Sequence, residues 1–243
     1  MECILDLFAR SLPDTTWPMK ASEVLCVDKI LRIRFAAEQL VLSWSLTRPG
    51  FFCADTAAWR EASDADLAID VDPAVLIRAG LTWADYGEDV RLMTLRDVGK
   101  NHRAKRQCGD AIAFCLATVD LANAGRVGAD TPHLGQSGTI NLVAQLNQPL
   151  NEARLIEALS IAAEASTAAA MDIDWTRDGL FINGTGAHCI AVACPVGGRR
   201  QSFAGLHTEA GQAIGVAVDD NVLPGGRAWV AEKTCTSQGS QER

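Results

Sequence analysis

The chain has 243 residues, 48% of them hydrophobic and 21% charged, the composition of a globular protein with a real core to bury. Its formal net charge of -8 argues against a protein that tracks nucleic-acid phosphates, because counterion release needs clustered cations. The nearest approach to such a cluster, Lys100, His102, Arg103, Lys105 and Arg106, reads as a solvated loop or an anion contact.

Taken in chain order, the first residues carry no export pattern: Glu2 follows Met1, and Asp6 interrupts the apolar run Ile4–Phe8. A cytoplasmic location is therefore expected, with the eight scattered cysteines mostly reduced and buried. Residues 24–46 read as a hairpin: Leu31, Ile33 and Phe35 alternate with Arg32 and Arg34, and an apolar run resumes at Val41 after the polar Glu38–Gln39 break. A helix is expected over Asp55–Ala62, and a second over residues 72–80, with Asp72 as N-cap, Pro73 at the first helical position and Gly80 closing it. Val90–Leu95 and Ala111–Val119 read as buried strands, the latter too short to span a membrane.

Thr139–Leu146 alternates as a strand, with Ile140, Leu142, Ala144 and Leu146 on one face and the more polar Thr139, Asn141, Val143 and Gln145 on the other. Asn151 caps a helix running to about Met171, and Leu150 and Leu155 stand at the spacing of a hydrophobic staple. Leu180–Ile182 and Cys189–Cys194 are two further strands, joined through Asn183–Gly186, where Asn-Gly favours a tight turn with positive φ. Thr208 caps a last helix ending near Val218, and the composition of 231–243 marks a disordered tail. The fold expected is a single α+β domain over residues 1–230, a mixed or antiparallel sheet packed with helices.

Five stretches resemble the adenosylcobinamide amidohydrolase (CbiZ) family: Ala117–Gly128, Gly138–Val143, Ala163–Ala169, Asn183–His188 and Phe203–Gly215. The last is similar to that family's aromatic-Ala-Gly-x-His-Thr segment, and together they cover about residues 90–216, with a fainter match at 40–50. Two positions depart from the pattern. Where the family shows Gly-Thr-Gly-Thr-Asp this chain ends in Ala187 and His188, and its early Asn-Gly-Gly appears here as Thr47–Gly50. The resemblance implies hydrolysis of the amide that joins aminopropanol to the corrin ring of adenosylcobinamide, in corrinoid salvage. It leaves two alternatives open: a hydrolase of another amide or of a complete corrinoid, or a corrinoid-binding protein without catalysis.

Amide hydrolysis needs an activated water or nucleophile, a donor for the oxyanion and an acid for the leaving amine. The catalytic candidates are His207, Glu164, Thr185 and His188. Those for substrate binding are Asn123, Asn141, Thr167, Gly184, Gly186 and Thr208. Each also has a plain structural reading. Glu164 belongs to a stripe with Glu157 and Ser160 that reads equally as the wet face of a helix, Gly184–Gly186 as an ordinary turn, and His207 as a partner of a helix end. His188, Cys189, Cys194 and His207 are of zinc-ligand type, but neighbours on a strand point to opposite faces, so metal-free chemistry with no resident cofactor is expected. The expected partner is a small-molecule corrinoid, with no nucleic acid or membrane and with a homo-oligomer open. The expectation on which the rest depends is that Gly184–Gly186, Glu164 and His207 line one cavity.

Overall fold

The computed structural model describes residues 22–45, 47–63, 66, 72, 74–75, 77, 90–129, 138–198 and 201–239, with 236–239 as backbone alone. Strand β1 (Glu23–Val27) turns into β2 (Ile30–Ser43) through Asp28 and Lys29, both in the left-handed region, as a two-residue hairpin turn favours. The polar Glu38–Gln39 pair does not break the strand. The register of β2 against β3 (Gly50–Glu61) shifts between Arg34 and Gln39, so that stretch is a bulge within one long strand.

β3 overturns the helix expected over Asp55–Ala62. Its alanines lower its intrinsic strand preference, yet Ala57 and Trp59 enter one core and Ala58 packs in another with Ile77, so burial on both faces overrides propensity. Asp72 accepts from Ala74 N at 2.8 Å, and Ala74, Val75 and Ile77 are helical. Pro73 and Gly80 lie outside the described residues.

β4 (Val90–Thr94) leads through a 3₁₀ turn to β5 (His102–Cys108) and β6 (Ala111–Val119), so most of the basic cluster lies on a strand instead of a loop. There follow β7 (Ala124–Gly125), β8 (Ile140–Leu146), α1 (Glu152–Asp172), β9 (Thr176–Arg177), β10 (Leu180–Phe181), β11 (Gly184–Thr185), β12 (Cys189–Pro195) and α2 (Glu209–Gly239). The main sheet has eight strands in the order β4-β3-β2-β12-β8-β6-β5, with β1 also on β2. Two pairs, β3–β4 and β8–β12, are parallel and the rest antiparallel, which makes this the mixed sheet of an α+β protein.

Both helices cover one face. Cys115, Ala117, Leu142, Ala144, Ile190 and Val192 share a core with Leu155, Ala158, Ala162, Ala213, Ile214 and Ala217. On the other face Leu116, Val143, Ala191 and Ala193 share a core with Leu31, Ile33, Trp59, Val90 and Leu92. The sheet therefore curls over itself. Asn141 Nδ2 donates to Met93 O at 2.5 Å, linking β8 to β4 although the two are not neighbours in the sheet. All of β8 is buried, Asn141 and Gln145 of its more polar face included.

The cap of α1 is as expected: Asn151 accepts from Arg154 N at 2.9 Å, and Leu150 and Leu155 lie in the same core. Thr208 Oγ1 accepts from Gly211 N at 3.0 Å at the start of α2. That helix does not stop near Val218, and 231–239, expected as a loose tail, continue it. Gly225 and Gly226 look like helix breakers, but a Cβ on Gly225 would lie 2.7 Å from Val119 Cγ2 and one on Gly226 2.1 Å from Ile173 Cδ1. They let the helix lie close on the sheet. Trp229 packs edge-on to Trp175 at 5.2 Å, and Arg96, almost fully buried, makes two 2.8 Å bonds to Glu232. Residues 240–243 lie outside the described residues. Among the described residues no helix is long and apolar enough to cross a membrane.

Candidate active site

Four of the five motif stretches meet at the end of the sheet where β8 and β12 begin. Gly184 pairs with Gly125 and Thr185 with Ala124, while Gly186 N donates to Asn123 O at 3.3 Å. Asn183 Oδ1 accepts from Val127 N at 2.8 Å. The Gly138–Thr139 entry to β8 runs beside the same loop: Asp120 N donates to Thr139 O at 3.0 Å, and a Cβ on Gly138 would lie 2.7 Å from Ala122 N. Ile140 N reaches Thr185 Oγ1 at 3.3 Å, and the Thr139 hydroxyl contacts Ala187 O. The third stretch arrives from α1, where Ser166 Oγ lies 3.4 Å from His188 Nε2.

Asn183–Gly186 is thus not the expected tight turn. It is a short extended segment laid against β7, and neither glycine has positive φ. The left-handed turn in this region is Asp178–Gly179, between β9 and β10.

His188 is held from two sides. Trp44 Nε1 donates to its carbonyl at 2.7 Å, and the Trp44 ring stands edge-on to the imidazole at 6.3 Å and 83°. Burial lowers its pKa to about 4, so the imidazole is neutral at neutral pH. Burial also pushes the Cys189 thiol up to about 12, with a hydrogen bond to Ser43 opposing the shift, so this cysteine is not a ready thiolate. Asn123 Oδ1 and the Thr118 hydroxyl are buried without a partner among the described residues. Thr118 pairs with Asn141 in the register, so both orphaned atoms belong to this end of the sheet. Buried polar atoms of this kind call for a water or a ligand group.

The structure brings together Asn123, Gly184, Thr185, Gly186 and His188. Asn141 lies beneath them, 2% exposed, with its Nδ2 donating to Met93 O and its Oδ1 accepting from the Thr139 hydroxyl, so both ends of its amide are engaged within the fold. Thr167, half-buried, follows Ser166 on α1. Glu164 is exposed and accepts from Ser160 Oγ at 2.8 Å, on the solvent side of α1.

His207 and Thr208 sit at the other end. Their turn is held by Glu157, which accepts from Ala204 N at 2.8 Å. Glu157 is nine residues before Ser166, about 14 Å along the helix at 1.5 Å per residue. The expected meeting of His207, Glu164 and the glycine segment around one cavity therefore does not occur. Trp44, Ser166, Thr139 and Thr118 were not among the sequence candidates, although the last three lie inside the matching stretches and Trp44 in the fainter one.

Two cavities lie elsewhere. One of about 610 Å³ sits by the β2 bulge, beside Arg34, Glu38 and Asp55; the other, of about 570 Å³, lies at the start of α1, beside Leu150, Glu152 and Val196. Neither is lined by a site candidate, so convergence of side chains marks the site better than volume does. Among the described residues no group of three or more His, Cys, Asp or Glu side chains could hold a metal ion.

Residues 16–234 match the family described as CbiZ, adenosylcobinamide amidohydrolase. No curated protein matches the chain. Among solved structures, the chain is similar to a beta-aminopeptidase from Burkholderia sp. at 10% identity and a TM-score of 0.41, over 82% of this chain and 78% of that one. A protein from Pyrococcus horikoshii OT3 shows 9% identity and a TM-score of 0.41, over 84% and 82%. The L-aminopeptidase D-Ala-esterase/amidase of Ochrobactrum anthropi, titled a variant of the Ntn hydrolase fold, shows 11% identity and a TM-score of 0.37, over 86% and 82%. The family match spans most of the chain: it belongs to the adenosylcobinamide amidohydrolase family, and it is a hydrolytic enzyme.

Proposed function

We propose, from that membership, that the chain hydrolyses the amide joining aminopropanol to the corrin ring of adenosylcobinamide, releasing adenosylcobyric acid and aminopropanol. The observation that carries the reading is the convergence of Asn123 with Thr185 and His188, from two separated stretches of chain, onto one end of the sheet, where Ser166 of α1 meets them.

In this reading a water attacks the amide carbon while neutral His188 takes its proton. The oxyanion is met by the Asn123 carboxamide and the Thr185 hydroxyl. That hydroxyl already accepts from Ile140 N, which leaves its own proton to donate. The C–N bond then breaks, and the imidazolium returns the proton to the departing amine, so charge and protons balance. A base must be neutral before it accepts, and the burial of His188 meets that condition down to about pH 4. Ser166 and Trp44 hold the ring and its backbone.

The test is incubation with adenosylcobinamide and mass analysis of the corrinoid. Release of aminopropanol supports the reading; an unchanged corrinoid refutes it. Cleavage confined to a complete corrinoid would move the activity to the alternative substrate on the same site.

A further inference from the structure

Along the segment 184–188 the exposed side chains are small, while the exposed side chains bonded near its two ends are large. Gly186 and Ala187 are exposed, and a Cβ placed on Gly184 would meet no atom within 4 Å. At one end stands Trp44, 41% exposed, with its only polar atom committed to His188 O. Near the other are Val127 and Phe181, 85% and 50% exposed. Val127 is tied through its N–H to Asn183, and Phe181 through its carbonyl to Arg126 Nη1 at 3.2 Å. These apolar groups are fixed by hydrogen bonds, and exposed apolar surface bordered by polar groups marks interaction sites. Asn183 and His188 are five residues apart, at most about 17 Å in an extended chain. A macrocycle with its side chains is of the size that such a span can hold. Beneath the segment lies the Asn123 carboxamide, its Nδ2 3.2 Å from where a Gly186 Cβ would stand.

We propose that Trp44 is the stacking wall of the substrate site, with Val127 and Phe181 at the opposite end. The flat face of a corrinoid lies across Gly184–Ala187, and Asn123 pairs with one of its peripheral carboxamides. This rests on the corrinoid reading above and adds which residues bind the ring. The indole gives a broad apolar face at little entropic cost because its hydrogen bond already fixes it.

The test is equilibrium dialysis of cobinamide, followed by its visible absorbance, against the full chain and the variants W44A, W44F and V127S, each checked for folding by circular dichroism. W44A raises Kd about tenfold, equivalent to about 1.4 kcal/mol, which is within the reach of one aromatic contact. W44F, which keeps a ring, recovers most of that, and V127S weakens binding less. In turnover assays W44A raises KM and W44F, which loses the same hydrogen bond to His188 O, restores most of it, whereas a loss of kcat common to both belongs to the positioning of His188. A folded W44A that binds cobinamide as the wild type does overturns the proposal, and if W44A does not fold, a folded W44L, which keeps apolar bulk without a ring, takes its place, and a wild-type Kd there overturns it. Wild-type binding of cobinamide without release of aminopropanol from adenosylcobinamide would sink the reaction and leave the wall standing. Wild-type turnover with an unchanged Kd in W44A would sink the wall alone, and no binding at all would sink both.

Discussion

His188 combines burial, two partners and a position beside the exposed Gly186–Ala187 pair. Removing a general base typically costs 10²–10⁴-fold, so His188→Ala lowers kcat by roughly 100-fold or more. The pH profile of kcat/KM in the wild type stays high above pH 5 and falls as the imidazole protonates near pH 4. A profile that falls already near pH 6.5 would show that His188 is not the titrating base. Thr185→Ala loses an oxyanion donor, and a turnover loss on the order of 10²-fold follows. A Thr185→Ala enzyme as fast as the wild type would remove the hydroxyl from the reaction.

At the scale of elements, the loop 120–125 and the entry to β8 depend on the absence of a side chain at Gly138, where a Cβ would lie 2.7 Å from Ala122 N and 2.9 Å from Asn123 N. Both neighbours are backbone and cannot swing away, so Gly138→Ala destabilises by about 1–3 kcal/mol in denaturant melts and lowers activity with it. An unchanged midpoint would show that the two loops are not packed as described. The last turns of α2 are held by Glu232, which Arg96 and Lys100 keep at a pKa of about 2. Glu232→Gln leaves the buried Arg96 without its charged partner and costs about 1 kcal/mol once solvent screening is allowed for.

Capping and alternation were legible in the sequence where they act locally: the Asn151 cap, the strand at 140–146 and the Thr208 cap all stand, whereas the tight turn expected at Asn183–Gly186 does not. β3 was not legible, because its alanines are strand residues only by virtue of the two cores they enter. Nor was the far half of α2. Pro224, Gly225 and Gly226 suggest an end until the sheet and Ile173 are seen pressed against the glycines. The motifs marked the stretches that meet at one end of the sheet. They did not show that His207 lies at the far end of α1 from the others, since that follows from the helix running back along β8.

For the whole molecule, α1 covers one face of this end of the sheet and β4 the other, and His188, on the α1 side, is held as a neutral imidazole in the fold. His188 has a folded pKa of about 4 against an ordinary 6.5, so between these values the unfolded chain binds the extra proton and stability falls as pH falls. The loss reaches up to roughly 3 kcal/mol at 1.36 kcal/mol per pK unit. His102, lowered by burial and by Arg96, acts in the same direction. The Glu232 contribution is present above pH 4.5 and disappears toward pH 2. Thermal melts should therefore show a first loss between pH 6.5 and 4, shrunken in His188→Gln, and a second below it. A flat Tm from pH 7 to 4 would contradict the burial of His188.

The proposed reaction takes place at the start of β8 and β12 and not at the start of α2. The most direct measurement is aminopropanol release from adenosylcobinamide by folded His188→Ala and His207→Ala proteins side by side. The account predicts that the first is slower than the wild type by roughly 100-fold or more while the second stays within about twofold. A slow His207→Ala beside a near wild-type His188→Ala would contradict it.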